Sequence, residues 1–240
     1  MPRRAGLDQP ATIHILPGPP PVNVVLTRSA RARRLTLRVS RLDGRVTLTL
    51  PGRLAMAQAL EFLADREAWL RGQLARQPAV QTPGPGGVLL WLGRDVPLLA
   101  GPVRRPEWRD GALILPDDGR PAGPRLVALL KAGARDRLAD ACDRHARALG
   151  RSFTRITLRD TRSRWGSCSS DGALMFSWRI AMAPPEVIDY LAAHEVAHLA
   201  RMDHSPAFWG IVARLCPGHK TARAWLRTEG DRLLRIDFGI

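Results

Sequence analysis

Pro184 to Ser205 reads PPEVIDYLAAHEVAHLARMDHS. It holds no helix breaker between Glu186 and Asp203, and its apolar residues recur at a spacing that predicts a helix with one buried face. His194 and His198 are four apart, so they stand on the same face about one turn apart, where two imidazoles can converge on a single ion. Glu195 is turned ~100° from His194 about the axis, which keeps its carboxylate beside such an ion instead of on it. This is the HExxH order, in which two neutral imidazoles hold zinc and the glutamate handles a proton.

Catalytic zinc usually takes three protein ligands and leaves its fourth position to water. His204, six residues after His198, is the candidate third ligand. It can serve only if the chain leaves the helix and folds back, and Asp203 tolerates the left-handed conformation such a reversal uses. Ser205 and Pro206 then read as the N-cap and first position of a new helix. The spacing HExxHxxxxxH has the length of the metzincin motif, but Arg201 stands where that motif has glycine, which argues against a metzincin. His219, in a loop, and Glu229, on a downstream helix, are rival third donors. A chance HExxH on an ordinary helix would bring neither a third histidine at usable spacing nor a turn and cap beside it.

Working outward, the helix is preceded by FTRITLRD (153–160), an alternating strand, and by TRSRWGSCSSDGALMFSWRI (161–180), two strands about a turn at Ser169 to Gly172. A hairpin there is either ordinary sheet or the edge that pairs with an extended peptide. Cys168 lies in it without a histidine neighbour and reads as a packing residue. Beyond the motif, Phe208, Trp209, Val212 and Leu215 form a core stripe on the helix begun at Ser205. A last helix carries Ala224, Trp225, Leu226, Leu233 and Leu234. Upstream, residues 125–149 form a long helix ended by Gly150 as a C-terminal cap, with His145 a surface or packing histidine.

The first half is richer in strands. VNVVLT (22–27) is a short strand, and LTLRVSRLDGRVTLTL alternates on both sides of Asp43-Gly44, a tight-turn dipeptide, so it predicts a hairpin. The cluster Arg28, Arg31, Arg33, Arg34 reads as a solvated strand edge. Residues 54–76 have helical spacing, with Leu60, Leu63, Trp69, Leu70 and Leu74 as the core stripe. QTPGPGG (81–87) and PDDGRPAGP (116–124) are loops. Between them VLLWLG, VPLLA and GALILP are strands. Residues 1–21 are proline-rich and expected to be disordered. The expected division is a tail at 1–21, a β-rich subdomain at 22–120 and a catalytic subdomain at 121–240, an α+β protein in which the HExxH helix lies beside a small antiparallel sheet.

At 240 residues, 45% hydrophobic and 25% charged, the chain has the balance of a soluble globular protein. No apolar run approaches the length of a bilayer span, so no membrane partner is expected. The N-terminus lacks the apolar core of a signal peptide. The odd set Cys142, Cys168 and Cys216 contains no CxxC pair and suggests neither a disulfide framework nor a thiolate zinc site. A cytoplasmic location follows. Thirty-seven basic residues against 22 acidic ones give a net charge of +15. All the basic residues except Lys131 and Lys220 are arginine, a bias that genomic base composition can produce. A basic surface favours polyanions whatever its origin, so nucleic acid stays a candidate partner.

Two runs carry a resemblance: RWGSCSSDGALMFSWRI (164–180), and PPEVIDYLAAHEVAHLARMDHSPAFWGIV from Pro184. Together they resemble the YgjP-like metallopeptidase family, and more distantly the SprT-like zinc proteases. The likeness is strongest over residues 160–230 and extends loosely to the N-terminal hairpin and helix, with 81–120 fitting least. It implies an α+β fold with a zinc protease core, His194, His198 and His204 as ligands, Glu195 as the catalytic residue and a polypeptide substrate. Ser177 stands before Trp178 where the family usually has asparagine. Three neutral histidines leave zinc its positive charge and so lower the pKa of the bound water, from which Glu195 takes a proton. For the developing oxyanion, an arginine or Tyr190 has suitable chemistry. Two other readings are a metal-dependent hydrolase of a non-peptide substrate such as a nucleotide, and a protease acting on DNA-bound partners.

Overall fold

The computed structural model describes residues 12–40, 43–76 and 81–240. The chain divides into two compact units, residues 1–79 and 80–240. The division therefore falls some 40 residues before the expected one at 120, because the strands after 87 share one core with the helices that follow (Leu89, Leu98 and Leu113 with Leu126, Leu130 and Trp178). Residues 1–11 of the expected tail lie outside the described residues. Thr12–Leu16, from the same stretch, form a strand, β1.

In the first unit β1 is followed by β2 (Val22–Ser29), β3 (Thr36–Val39) and β4 (Val46–Pro51), in the order β1-β2-β4-β3. β2 and β4 run parallel, and the outer pairs are antiparallel. Alternate residues Val24, Leu26, Val46, Leu48 and Leu50 are buried on one face with Leu63 and Leu70, each worth roughly 1.5–3 kcal/mol. The expected helix over 54–76 is two helices, α1 (Met56–Asp65) and α2 (Glu67–Ala75), separated at Arg66. That break takes Trp69 off the core stripe: it is 45% exposed, contrary to its expected core role.

The second unit opens with the same arrangement. β5 (Val88–Trp91), β6 (Arg94–Gly101), β7 (Glu107–Arg109) and β8 (Ala112–Pro116) lie in the order β5-β6-β8-β7, again with the middle pair parallel and the outer pairs antiparallel. Each sheet has an Asp-Gly before its last strand and a proline closing it, DGRVTLTLP at 43–51 and DGALILP at 110–116. The β5–β6 hairpin packs at the start of the HExxH helix. Its two turn residues, Leu92 and Gly93, both have positive φ, 49° and 77°. Their amides donate to Ala181 O (3.2 Å) and Met182 O (2.9 Å). A side chain at Gly93 would come within 2.7 Å of Pro184, so glycine lets this tip seat against the entry to the HExxH helix.

Then follow α3 (Gly123–Leu149), ended by Gly150 at φ 66°, β9 (Arg155–Arg159), β10 (Gly166–Cys168), β11 (Ala173–Ser177), a 3-10 helix (Trp178–Met182), α4 (Pro185–Ala197), α5 (Pro206–Leu215) and α6 (His219–Leu234). The expected small antiparallel sheet is mixed: β10 pairs antiparallel with β11, but β9 pairs parallel with β11, because α3 delivers the chain to the side of β11 away from its hairpin partner. Arg179 anchors the 3-10 helix. It is 2% exposed, donates to Asp160 Oδ1 at 2.7 Å and to the carbonyls of Leu233 and Ile236, and lies over Trp178. Among the described residues no helix is long and apolar enough to cross a membrane.

Candidate metal centre

α4 is an interior helix. Val187, Ile188, Tyr190, Leu191, Ala192, Ala193, Val196 and Ala197 are all buried, so burial runs round the axis and not along one stripe as expected. It starts at Pro185, where the missing N–H costs nothing, packs against α3, α5, α6 and β10, and stops at Ala197 instead of near Asp203. The amides of Leu199, Ala200 and Arg201 close a turn on Val196 O and Ala197 O. That early stop is what reverses the chain.

Asp203 does not take the left-handed conformation; among non-glycine described residues only Leu92 and Asp110 have positive φ. Its carboxylate instead accepts from Ser205 N (3.3 Å) and Ser205 Oγ (2.8 Å). This turn stabilises its ionised form and pulls its pKa below the usual carboxylate range. Ser205 Oγ accepts from Phe208 N at the start of α5, with Pro206 in the first turn. His204 is thereby held between a turn and a cap.

The three histidines meet. Their nearest ring nitrogens all lie within 4.8 Å of one another, and His194 Nε2 is 3.3 Å from His204 Nε2. Two nitrogens at about 2.0–2.1 Å from one tetrahedral ion are about 3.3–3.4 Å apart, so His194 and His204 have the spacing of two ligands to one such ion. His198 Nδ1 is 2.9 Å from Arg201 O, which fixes Nδ1 as the donor and leaves the Nε2 lone pair for a metal. His194 Nδ1 is buried without a partner. Burial first, then the neighbouring His198, His204 and Arg223, push the His194 pKa down to about 3, and burial also lowers that of His198. Both rings are therefore neutral near pH 7, the form a metal requires. Phe208 stacks on His198 at 4.5 Å between centroids and walls off one side.

Glu195 is 3% exposed, and burial raises its pKa to about 8, against the opposing pull of Arg164. Its carboxyl group lies against the backbone of Gly166 on β10: a Cβ at 166 would come within 2.8 Å of Glu195 Cγ and Cδ. Gly166 escaped sequence reasoning, although a glycine inside a strand signals close approach. The rival donors are not in the cluster. His219 is buried at the start of α6, with Nδ1 3.1 Å from Cys216 O, and Glu229 is exposed on α6. His145 is buried and bonded to Asp189 at 3.0 Å. Burial pushes the Cys168 thiol up to about 11 and the Cys142 thiol to about 12, the reverse of what a nucleophile needs. Ser177 Oγ, where the resemblance leads one to expect an amide, is buried without a partner.

Three imidazoles round one point, with a buried carboxyl alongside and a cleft opening onto both, make the arrangement of a metal-dependent hydrolase. The chain belongs to the YgjP-like family: residues 33–229 match its metallopeptidase domain, a range that takes in 81–120 as well. Among solved structures it is similar to the crystal structure of a metallopeptidase zymogen, abylysin of Pyrococcus abyssi. Identity is 22% and the TM-score 0.35, over 38% of this chain and 95% of that one. No curated protein matches.

Proposed function

We propose that the chain is a zinc-dependent peptidase in which His194, His198 and His204 hold the ion and Glu195 is the general base. The observation that carries this is the convergence of the three ring nitrogens within 4.8 Å. Bound zinc supplies a polarised carbonyl and a water acidified towards neutrality. Glu195 accepts the proton of the attacking water and passes it to the leaving amine. Its burial keeps that proton out of bulk solvent, and a cation nearby favours the ionised carboxylate over the neutral form that burial alone favours. β10 is an end strand of its sheet, next to Glu195, so an extended substrate can add to it by main-chain hydrogen bonds.

The test is to strip the protein with a chelator, restore zinc, and offer unfolded polypeptides and nucleoside triphosphates separately. Zinc-restored cleavage of polypeptide is expected. Hydrolysis of the triphosphates alone would overturn the peptide assignment. Gly166→Ala tests the seat of the base. The added methyl would crowd the Glu195 side chain from Cγ to its carboxyl group and shift the base, so kcat is expected to fall about 10²-fold while zinc content stays at the wild-type level. An unchanged kcat would show that Glu195 needs no such seat.

A further inference from the structure

The cleft in front of His194 and Glu195, of about 860 Å³, is one-sided in charge. Trp165, Gly166, Tyr190 and Trp209 line it with the site residues, while α6 contributes Lys220, Arg223 and Arg227, which at i, i+3 and i+7 share one face. Glu195 is the only carboxylate among the lining residues. Lys220, Arg223 and Arg227 are exposed, and among the described residues none of them makes an ion pair, unlike Arg71, Arg125, Arg144, Arg179 and Arg232 elsewhere.

Among the described residues, Arg223 is the one of the three that lies over an aromatic ring. Its guanidinium carbon lies 4.4 Å from the Trp209 ring centroid. Trp209 is itself fixed by Phe208 at 5.3 Å and His194 at 5.7 Å. Lying over the indole restrains a guanidinium without using up its N–H donors, whose planar fork matches the two oxygens of a carboxylate. A planar fork beside the metal site, with two further cations and no counter-ion, is organised for an anion that arrives with the substrate.

We infer that Arg223, supported by Lys220 and Arg227, is a carboxylate receptor, so that the enzyme selects polypeptides presenting an acidic group beside the bond to be cut. The group is an aspartate or glutamate side chain or the chain's own terminal carboxylate. This rests on the peptidase reading, and the test separates the two. Zinc-loaded Glu195→Gln protein, which retains the cleft, is titrated with otherwise identical peptides carrying Asp, Asn or Lys at each position in turn, with free or amidated C-termini. Binding is read by calorimetry.

The acidic peptide is expected to bind about 10- to 100-fold more tightly than its amide counterpart. That ratio should fall towards one when Arg223→Met is added, and invert in favour of lysine with Arg223→Glu. Dependence on amidation alone assigns the terminal carboxylate. Equal binding of acidic and amide peptides, or a preference that survives Arg223→Met, overturns the receptor. So does Arg223-dependent binding of a single-stranded oligonucleotide tighter than that of any peptide. Acid preference without cleavage by the parent enzyme would sink the peptidase reading and leave the receptor standing; cleavage without preference would do the reverse.

Discussion

Glu195→Gln is expected to bind zinc at the wild-type stoichiometry and to lose between about 10² and 10⁴ of kcat, the range that positioned proton transfer contributes. Glutamine has the shape of glutamate, so it fits against Gly166 and keeps the packing of α4 among α3, α5, α6 and β10. What disappears is the one carboxylate lining the cleft, and with it the acceptor for the water's proton. The substitution also removes an ionisable group from a site where burial disfavours charge, so the metal-free protein should melt no lower than wild type. Metal analysis, a melting curve and single-turnover cleavage of one polypeptide decide it together. Wild-type cleavage at full zinc occupancy would remove Glu195 from proton transfer, and lost zinc would mean that it helps hold the ion.

The clustering of the three histidines was legible because its information is local. A four-residue spacing on a helix, then Ser205 and Pro206 as cap and first turn, place His204 without knowledge of anything distant. The manner of the reversal was not legible, because Asp203 can stabilise a turn either by its backbone or by its side chain, and the second was used. Long-range choices were hidden for a different reason. Whether β9 joins β11 in parallel depends on where α3 ends in space, and an alternating strand looks the same in either direction. Trp69 has the spacing of a core residue within one long helix, and the break at Arg66 that shortens that helix has no proline or glycine to announce it. The cationic face of α6 was present as Lys220, Arg223 and Arg227, but among 37 basic residues their spacing gave no signal until the fold put them in one cleft with His194 and Glu195. The repeated DG-to-proline segments, one in each four-stranded sheet, could have been found by self-comparison.

His198→Ala should lose both zinc and activity, and the comparison of three histidine variants locates the ion. Of the three histidines, His198 has the clearest protein support, since Arg201 O holds its Nδ1 and Phe208 holds its ring. Removing it leaves His194 and His204, two donors where tetrahedral catalytic zinc takes three. His204→Ala should behave alike despite its exposure, because the chain reversal at Leu199 to Arg201 serves to bring that ring to His194. His145→Ala removes a histidine paired with Asp189 and outside the cluster, so its zinc content should be unchanged. Because a ligand bound only by the folded state raises the melting temperature, added zinc should stabilise wild type and His145→Ala by about 2.7 kcal/mol at a hundredfold excess over Kd. It should shift neither His198→Ala nor His204→Ala at that concentration. A His198→Ala protein with normal zinc and a normal zinc-dependent shift would place the ion elsewhere, and full zinc in His204→Ala alone would hand the third position to a donor outside the cluster.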